Sequence, residues 1–332
     1  MNTVIFPHCG IMPPKNEGTE NPMRTALTLA LAISMSAAAA TAWADDMKAP
    51  APAAAQQMPS TYPPITKQKC DNPDALGVSR IVAIDTTGAP GFGFQNFKAY
   101  DFLKDHEVVL TFDDGPWPGN TERVLKALAE ECTKAMFFPI GKHAGWHPEI
   151  LKKDIAAGMT VGSHTWSHKD LTKMPFEDAK AEVEKGIAAI SIASGNKPVA
   201  PFFRFPALRM PPEILKYLAT RNIAIMSTDW DTFDFKMRRP EQVLHSVQSR
   251  LTKHGKGILL MHDFQHATSE AVPDILKWLK KNDFKVVQVV AKKGIEPLPE
   301  YRKIVLKEMG GGLATARPMS SVIKTISAPD TN

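Results

Sequence analysis

The feature that most constrains the fold is an alternation of short apolar runs with amphipathic segments between residues 79 and 291. The apolar runs have the length and composition of strands. The predicted strands cover residues 81–84, 108–112, 135–140, 160–163, 202–205, 223–227, 257–261 and 285–290. The intervening segments carry apolar residues at helical spacing. They cover residues 121–131, 148–157, 176–192, 212–221, 240–251 and 271–281.

This alternation predicts parallel βαβ units and therefore an α/β fold. Seven to eight parallel strands favour a distorted (β/α) barrel in a single domain, with an open doubly wound sheet as the alternative. No G-x-G-x-x-G follows a predicted strand and no Walker loop is present, so we expect no nucleotide cofactor.

The segment before the strands has the pattern of an export signal. Residues 25–44 carry no charge, follow Arg24 and end in Ala42-Trp43-Ala44, which predicts a cleaved signal peptide over 23–44. A membrane anchor is the alternative, since twenty residues could cross a bilayer, but the Ala-rich second half favours cleavage. We expect a periplasmic or secreted protein with no stable membrane span after cleavage, and we interpret residues 1–22 as an over-long start assignment.

The rest of the chain divides by composition. Residues 45–70 are rich in Pro and Ala and predict a linker, residues 71–300 form the predicted folded domain, and residues 301–332 form a C-terminal tail. The net charge of +5 comes without a basic block of six residues, which argues against nucleic-acid binding. We expect a monomer.

The cysteines limit the metal chemistry and suggest a cross-link. There are three, none in a C-x-x-C pair, so any metal would be held by His and carboxylate. After signal cleavage only Cys70 and Cys132 remain. An oxidising compartment favours a disulfide between them, and two buried thiols are the alternative.

Five predicted strands run directly into ionisable residues. Because the carboxyl ends of barrel strands meet at one mouth, this placement predicts a functional site there. The residues that follow these strands are Asp113 and Asp114, His164 and His168, Arg204, Asp231 and Asp234, and His262 and Asp263.

Three histidine pairs have i, i+4 spacing: His143/His147, His164/His168 and His262/His266. His164/His168 is the best placed, because His164 directly follows a strand. Two imidazoles with a carboxylate would leave open positions for water on a catalytic metal. The Asp113-Asp114 pair has two interpretations, a polar turn closed by Gly-Pro or two carboxylates with different tasks.

Five short segments, in this order, resemble the motifs of the NodB-homology polysaccharide deacetylases, carbohydrate esterase family four. They are TFDDGP at 111–116, HTWSH at 164–168, RFPA at 204–207, DTFDF at 231–235 and LMHD at 260–263. The resemblance spans about residues 105–290. It implies a distorted barrel and metal-dependent hydrolysis of acetyl groups on a glycan. N-acetyl groups of N-acetylglucosamine-containing chitooligosaccharide, peptidoglycan or exopolysaccharide are the expected targets.

The resemblance also implies a role for each motif residue. Asp114, His164 and His168 would hold a divalent metal, zinc first, with Co²⁺ or another divalent ion as the alternative. Asp113 would be the general base, oriented by Arg204. His262 would be the general acid, oriented by Asp234. The backbone N–H of Ala207 would help to bind the oxyanion.

Two departures from the family pattern concern the substrate pocket. Ala207 replaces a Tyr, which keeps the backbone N–H but opens the pocket edge, and Phe235 replaces a Trp. We predict that Trp117, Phe235 and Leu260 line the pocket. Other functions considered are an O-acetyl esterase, an amidohydrolase on a small cyclic amide, and an inactive carbohydrate-binding protein.

Overall fold

The computed structural model describes Pro63 and residues 70–313. The predicted signal peptide, and the predicted linker apart from Pro63 and Cys70, lie outside the described residues. The strands are β1 (Arg80–Ile84), β2 (Gly91–Phe92), β3 (Glu107–Asp113), β4 (Met136–Phe138), β5 (Thr160–Val161), β6 (Phe202–Phe203), β7 (Ala224–Met226), β8 (Trp230–Asp231), β9 (Gly257–His262) and β10 (Lys285–Ala291). The helices are α1 (Asn120–Glu130), α2 (Gly141–Trp146), α3 (Pro148–Ala156), α4 (Phe176–Ala193), α5 (Pro212–Thr220), α6 (Pro240–His254), α7 (His266–Lys281) and α8 (Pro299–Leu313).

Every predicted strand and helix has a counterpart, and four elements were not predicted. Strands β2 and β8 have two residues each and helix α2 has six, too few to show a period. Helix α8 takes up residues that the sequence assigned to the tail. Its Val305 is fully buried in a cluster with Ala188 and Ala189 of α4, so tertiary packing holds a helix that its glycines alone would disfavour.

All strand pairs in the two sheets are parallel, which confirms the α/β class. One sheet has seven strands and includes the run β8-β9-β3-β4-β5, and a second contains β6, β7 and β2. A single bridge between Ser163 and Phe203 links β5 to β6, and the chain passes directly from β7 to β8. Strands β3 to β9 therefore follow one another in the order of a distorted barrel, with their carboxyl ends at one mouth.

Alternation along β3 and β9 decides which residues face the barrel interior. Val109 and Ile258 point into an inner cluster, whereas Leu110 and Leu259 pack in the layer that contains α1, α6 and α7. Continuing this period of two directs Asp113 and His262 inward at the mouth. None of the described helices is long and apolar enough to cross a membrane.

A disulfide joins Cys70 to Cys132, 62 residues apart in sequence. It ties the segment before β1 to the second residue after the end of α1. Hydrogen bonds from the Asn72 side chain to the Glu130 carbonyl and from the Leu76 N–H to the Glu131 carboxylate fix the same junction.

Breaking this disulfide by Cys70→Ala is expected to lower the free energy of unfolding by about 2–4 kcal/mol, since the cross-link closes a long loop in the unfolded chain. Urea denaturation of the oxidised protein and the variant measures the difference. Dithiothreitol should destabilise the parent to the same extent and leave the variant unaffected. Equal urea midpoints for parent and variant would contradict the prediction.

Candidate active site

Asp113 ends β3 with one carboxylate oxygen bound and the other facing the mouth. The Oδ1 atom accepts a hydrogen bond from Nη1 of Arg204 at 2.7 Å, and Oδ2 lies 3.8 Å from Nε2 of His164. Only 2% of the residue is exposed. The carboxylate is nearly buried, its Oδ1 is paired with Arg204, and its Oδ2 makes no such bond. This arrangement leaves Oδ2 available to accept a proton.

Arg204 is the buried cation that holds Asp113 in place. It has no exposed surface, and its guanidinium stacks 4.4 Å from the ring centre of Phe138. Its N–H groups donate to Asp113, to Oγ1 of Thr111 and to the carbonyls of Met226 and Ser227. A planar fork with these bonds fixes the direction of the Asp113 carboxylate, which the point charge of a lysine could not do.

Asp114 occupies a strained turn immediately after β3. Its φ of 75° lies in the left-handed region, which non-glycine residues seldom adopt. The Asp114 N–H donates to the Phe138 carbonyl at 3.1 Å, and its own carbonyl accepts a hydrogen bond from Nδ1 of His143 at 2.6 Å. These two bonds hold the turn so that its side chain faces the histidines.

Asp114, His164 and His168 bring three potential metal ligands together. Their ligand atoms lie within 4.8 Å of one another, and both Nε2 atoms are 3.5 Å from Oδ1 of Asp114. That oxygen is buried and makes no hydrogen bond to any described residue. A buried carboxylate oxygen without a donor, facing two imidazole nitrogens, fits a divalent cation.

His164 is held in the tautomer that a metal ligand needs. Its Nδ1–H donates to the Arg204 carbonyl at 2.7 Å, which leaves the Nε2 lone pair directed at Asp114. Burial lowers the pKa of His164, although the carboxylates of Asp113 and Asp114 oppose this, so the ring stays neutral. His168 lies at the rim of the site with 40% of its side chain exposed.

His262 ends β9 directly opposite Asp113, its register partner on β3. Its Nδ1 donates to Oδ1 of the buried Asp234 at 2.7 Å, and Asp234 also accepts bonds from the His262 N–H and from Oγ1 of Thr268. Burial opposes the charged ring, but the Asp234 bond and the charges of Asp234, Asp114 and Asp113 outweigh it and raise the pKa of His262 to about 9. The ring is therefore charged at neutral pH, with its other nitrogen free for a substrate.

These groups open into one cavity of about 560 Å³ at the mouth of the barrel. Of the residues that the sequence predicted for the pocket and the oxyanion site, Ala207, Phe235 and Leu260 line this cavity and Trp117 does not. The sequence did not predict several other lining residues, namely Gln95, Asn96, Phe205, Leu208 and Phe233. Gln95 and Asn96 follow the two-residue strand β2, which carries no periodic signal.

Trp117, two further tryptophans in the motif segments and the alternative histidine pairs do not line the cavity, apart from His262. Trp117 contacts the rings of His143 and His147 beside the Asp114 turn. Trp166 is buried against α4 and α8, and Trp230 stacks on His254. In the alternative pairs, the His143 ring hydrogen-bonds to the backbone carbonyl of Asp114, and His266 is exposed beside Glu270.

Asp263 is a positioning residue that the sequence analysis left without a role. Strand alternation turns it away from the cavity, and it is fully buried behind the Asp114 turn. It accepts hydrogen bonds from the Gly115 N–H and from the Thr121 hydroxyl. A Cβ at position 115 would lie 2.2 Å from Oδ2 of Asp263, so the close approach requires glycine there.

Removing this carboxylate by Asp263→Ala is expected to destabilise the fold by about 1–3 kcal/mol, because the Gly115 N–H loses its buried acceptor. Asp263→Asn keeps an acceptor oxygen of the same shape and should recover most of the loss. Urea denaturation of the two variants tests this. Equal stability of the Ala and Asn variants would show that the hydrogen bond to Gly115 does not hold the turn.

The comparisons with known proteins agree with this geometry. The family model for polysaccharide deacetylase matches residues 102–225. Peptidoglycan-N-acetylmuramic acid deacetylase PdaC of Bacillus subtilis (strain 168) is 29% identical over 188 residues, 55% of this chain and 38% of that protein. Chitin deacetylase 1 of Saccharomyces cerevisiae is 28% identical over 196 residues, 57% of this chain and 63% of that protein.

Among solved structures, the Bdellovibrio bacteriovorus peptidoglycan deacetylase Bd3279 superposes with a TM-score of 0.60 at 30% identity. The match covers 68% of this chain and 62% of that one. The chain thus spans less than half of the Bacillus relative and under two thirds of the other two. Residues 102–225, which the family model matches, contain Asp113, Asp114, His164, His168 and Arg204. Over residues 102–225 the chain therefore belongs to the polysaccharide deacetylase family, and the comparisons support a NodB-homology deacetylase.

Proposed function

We propose that this protein is a metal-dependent deacetylase that removes N-acetyl groups from N-acetylglucosamine-containing glycans. The observation that carries the proposal is the convergence of three groups on one cavity: a charge-paired carboxylate, a three-ligand cluster and a protonated imidazole. The names of the relatives, which include peptidoglycan and chitin deacetylases, support a glycan substrate. An export signal would place the enzyme in the periplasm or outside the cell, where such glycans occur.

Asp113 is the general base in this mechanism. Its Oδ2 faces the ligand cluster, so it can take a proton from a water molecule as that water attacks the acetyl carbon. Arg204 holds the carboxylate through Oδ1 at 2.7 Å and leaves Oδ2 open for that proton. A positioned base of this kind contributes a factor of about 10²–10⁴ to the rate.

The developing negative charge on the acetyl oxygen is stabilised at the same mouth. A divalent ion held by Asp114, His164 and His168, with zinc favoured over cobalt, would supply Lewis-acid polarisation of the acetyl carbonyl. The backbone N–H of Ala207 is the protein's own candidate donor, because Ala207 lines the cavity and its φ of 51° turns the backbone sharply there. One such donor is commonly worth roughly 3–4 kcal/mol.

His262 completes the reaction as the general acid. An amide nitrogen cannot leave as an anion, so the C–N bond breaks as the imidazolium donates a proton to it. Asp234 stabilises the charged ring and then receives only a hydrogen bond from the neutral one. The products are acetic acid, which ionises to acetate, and a free amino sugar. Asp113 releases the proton that it took from water to solvent, and His262 takes one up from solvent before the next turnover.

Acetate release, with the matching appearance of free amine, tests the proposal on chitopentaose, peptidoglycan and an acetylated exopolysaccharide. We expect release from at least one of them, loss of activity after chelation, and recovery on adding zinc or cobalt. Acetate release without free amine would assign an O-acetyl esterase instead. No release from any substrate by the metal-loaded enzyme would overturn the proposed function.

A further inference from the structure

We propose that an exposed basic segment, which begins at Lys236 beside the cavity and continues at Arg238 and Arg239, binds a carboxylate on the glycan, so that the enzyme prefers an acidic acetylated glycan to a neutral one. These side chains, which we call the basic rim, are Lys236, Arg238 and Arg239. The inference rests on the proposed function and narrows its substrate class.

The basic rim begins at the side of the cavity that holds the general acid. Phe233 and Phe235 line the cavity with 42% and 45% of their surfaces exposed, and the Phe235 ring packs edge-on to His262 at 5.6 Å. The Lys236 Nζ atom lies 4.9 Å and 5.4 Å from the two phenylalanine ring centres. Since His262 protonates the leaving nitrogen, the sugar that carries this nitrogen must lie on the same side.

The basic rim has no acidic partner within the described part of the chain. No described carboxylate lies within ion-pair distance of Lys236, Arg238 or Arg239. Some other basic residues on this fold are held in ion pairs, as Lys185 is with Glu308 and Arg209 with Asp170. Lys236 at the cavity, followed within three residues by two further unpaired cations, raises the local concentration of anions.

The acidic residues nearest in sequence do not cancel this charge. Asp234 is fully buried on His262, and Asp231 is partly buried with Oδ1 bound to the Phe233 N–H. Of the three acidic residues between 231 and 241, Glu241 in the first turn of α6 is the exposed one. The outward-facing charge of this segment is therefore positive.

The combination of exposed rings and unpaired cations matches an acidic sugar better than a neutral one. The C–H face of a pyranose can pack on the phenylalanines, while a carboxylate on that sugar or its neighbour takes charge-assisted hydrogen bonds from the basic rim. A neutral chitin chain would use the rings and leave the cations unused. The carboxylate could be the lactyl group of a peptidoglycan strand or a uronic acid of an exopolysaccharide, which share this chemistry.

The test compares substrates that differ only in charge. The anionic substrates are peptidoglycan glycan strands with free lactyl carboxylates and hyaluronan hexasaccharide, which alternates N-acetylglucosamine with a uronic acid. Their neutral counterparts have the carboxylates converted to methyl amides, and chitopentaose is a third neutral substrate. The variants are Lys236→Gln, the triple change Lys236→Gln/Arg238→Gln/Arg239→Gln, and the control Lys307→Gln, an exposed position on α8.

We expect the triple variant to raise KM about fivefold to tenfold on at least one carboxylate-bearing substrate, and Lys236→Gln to raise it about twofold to fivefold. Methyl-amidated substrates and chitopentaose should change less than about twofold, and Lys307→Gln should match the parent. The effect should shrink in 0.5 M salt, because exposed charges are screened.

If the KM of the triple variant rises only on hyaluronan, the bound group is a uronic acid. If it rises only on the peptidoglycan glycan strands, the bound group is the lactyl carboxylate. Either result supports the inference. Equal KM changes on charged and amidated substrates, or no change on any, would overturn it while leaving the proposed deacetylase intact. If the parent enzyme releases no free amine from any of the substrates, the proposed function and this inference are overturned together.

Discussion

His164→Ala is expected to lose bound metal and deacetylase activity together. The protein should carry about one divalent ion per chain, and the variant a small fraction of that, because a third of the ligand set is gone. Activity should fall by more than about 10³-fold, beyond the 10–100-fold that follows loss of a residue merely supporting a ligand. Metal analysis of the purified proteins, with activity on the same samples, measures both.

His147→Ala is the matched control for this change. His147 lies between α2 and α3, and its ring contacts that of Trp117. Within the described part of the chain it makes no contact with the three predicted ligands. Its removal should leave metal content and activity near those of the parent. A His164→Ala protein that keeps stoichiometric metal, or a His147→Ala protein that loses it, would show that the ligand set is wrong.

His262→Ala is expected to keep its metal and lower turnover on an N-acetyl substrate by about 10²–10⁴-fold. The loss should be much smaller on an aryl acetate ester, because a phenolate leaves without needing a proton. This difference separates a proton donor from a metal ligand, since removal of a ligand impairs both reactions. Metal analysis and turnover on the amide and the ester together make the measurement.

His266→Ala is the control here, because it changes an exposed histidine four residues away whose ring contacts Glu270, Asn120 and Arg123, none of which has a role in the proposed chemistry. It should be neutral in both reactions. Loss of metal from His262→Ala, or equal impairment on amide and ester, would contradict the role of general acid.

The placement of many of these residues could be predicted from two regularities of the fold. The period of two along β3 and β9 directs Asp113 and His262 inward, and the parallel arrangement brings the end of each strand to the same mouth. The chemistry-bearing residues then follow from which side chains come next in the sequence. Of the three predicted pocket residues, Trp117 is the one that does not line the cavity. It follows the turn at Gly115-Pro116, where strand alternation no longer applies.

What could not be predicted depends on turns and on contacts between distant segments. Half of the twelve described non-glycine residues with positive φ lie in the site segments, and none has a sequence signature. They are Asp114, Thr165, His168, Ala207, Leu208 and Phe233. The bonds from His143 to Asp114 and from Gly115 to Asp263, like the position of Lys236 against two rings, arise only once the barrel has formed.

The register of β3 against β9 has a consequence for how such an enzyme can diversify. Asp113 and His262 are paired positions of one ladder, and the Gly115–Asp263 hydrogen bond fastens the same two strands one step further on. A one-residue insertion or deletion in β3 or β9 would turn Asp113 or His262 away from the cavity and bring a neighbouring residue to its place. The length of both strands must therefore stay constant for the reaction to proceed. The segment 235–239, which follows Asp234, lies outside that ladder and can change in length and charge. Substrate preference is therefore free to evolve by loop variation while the hydrolytic step is inherited unchanged.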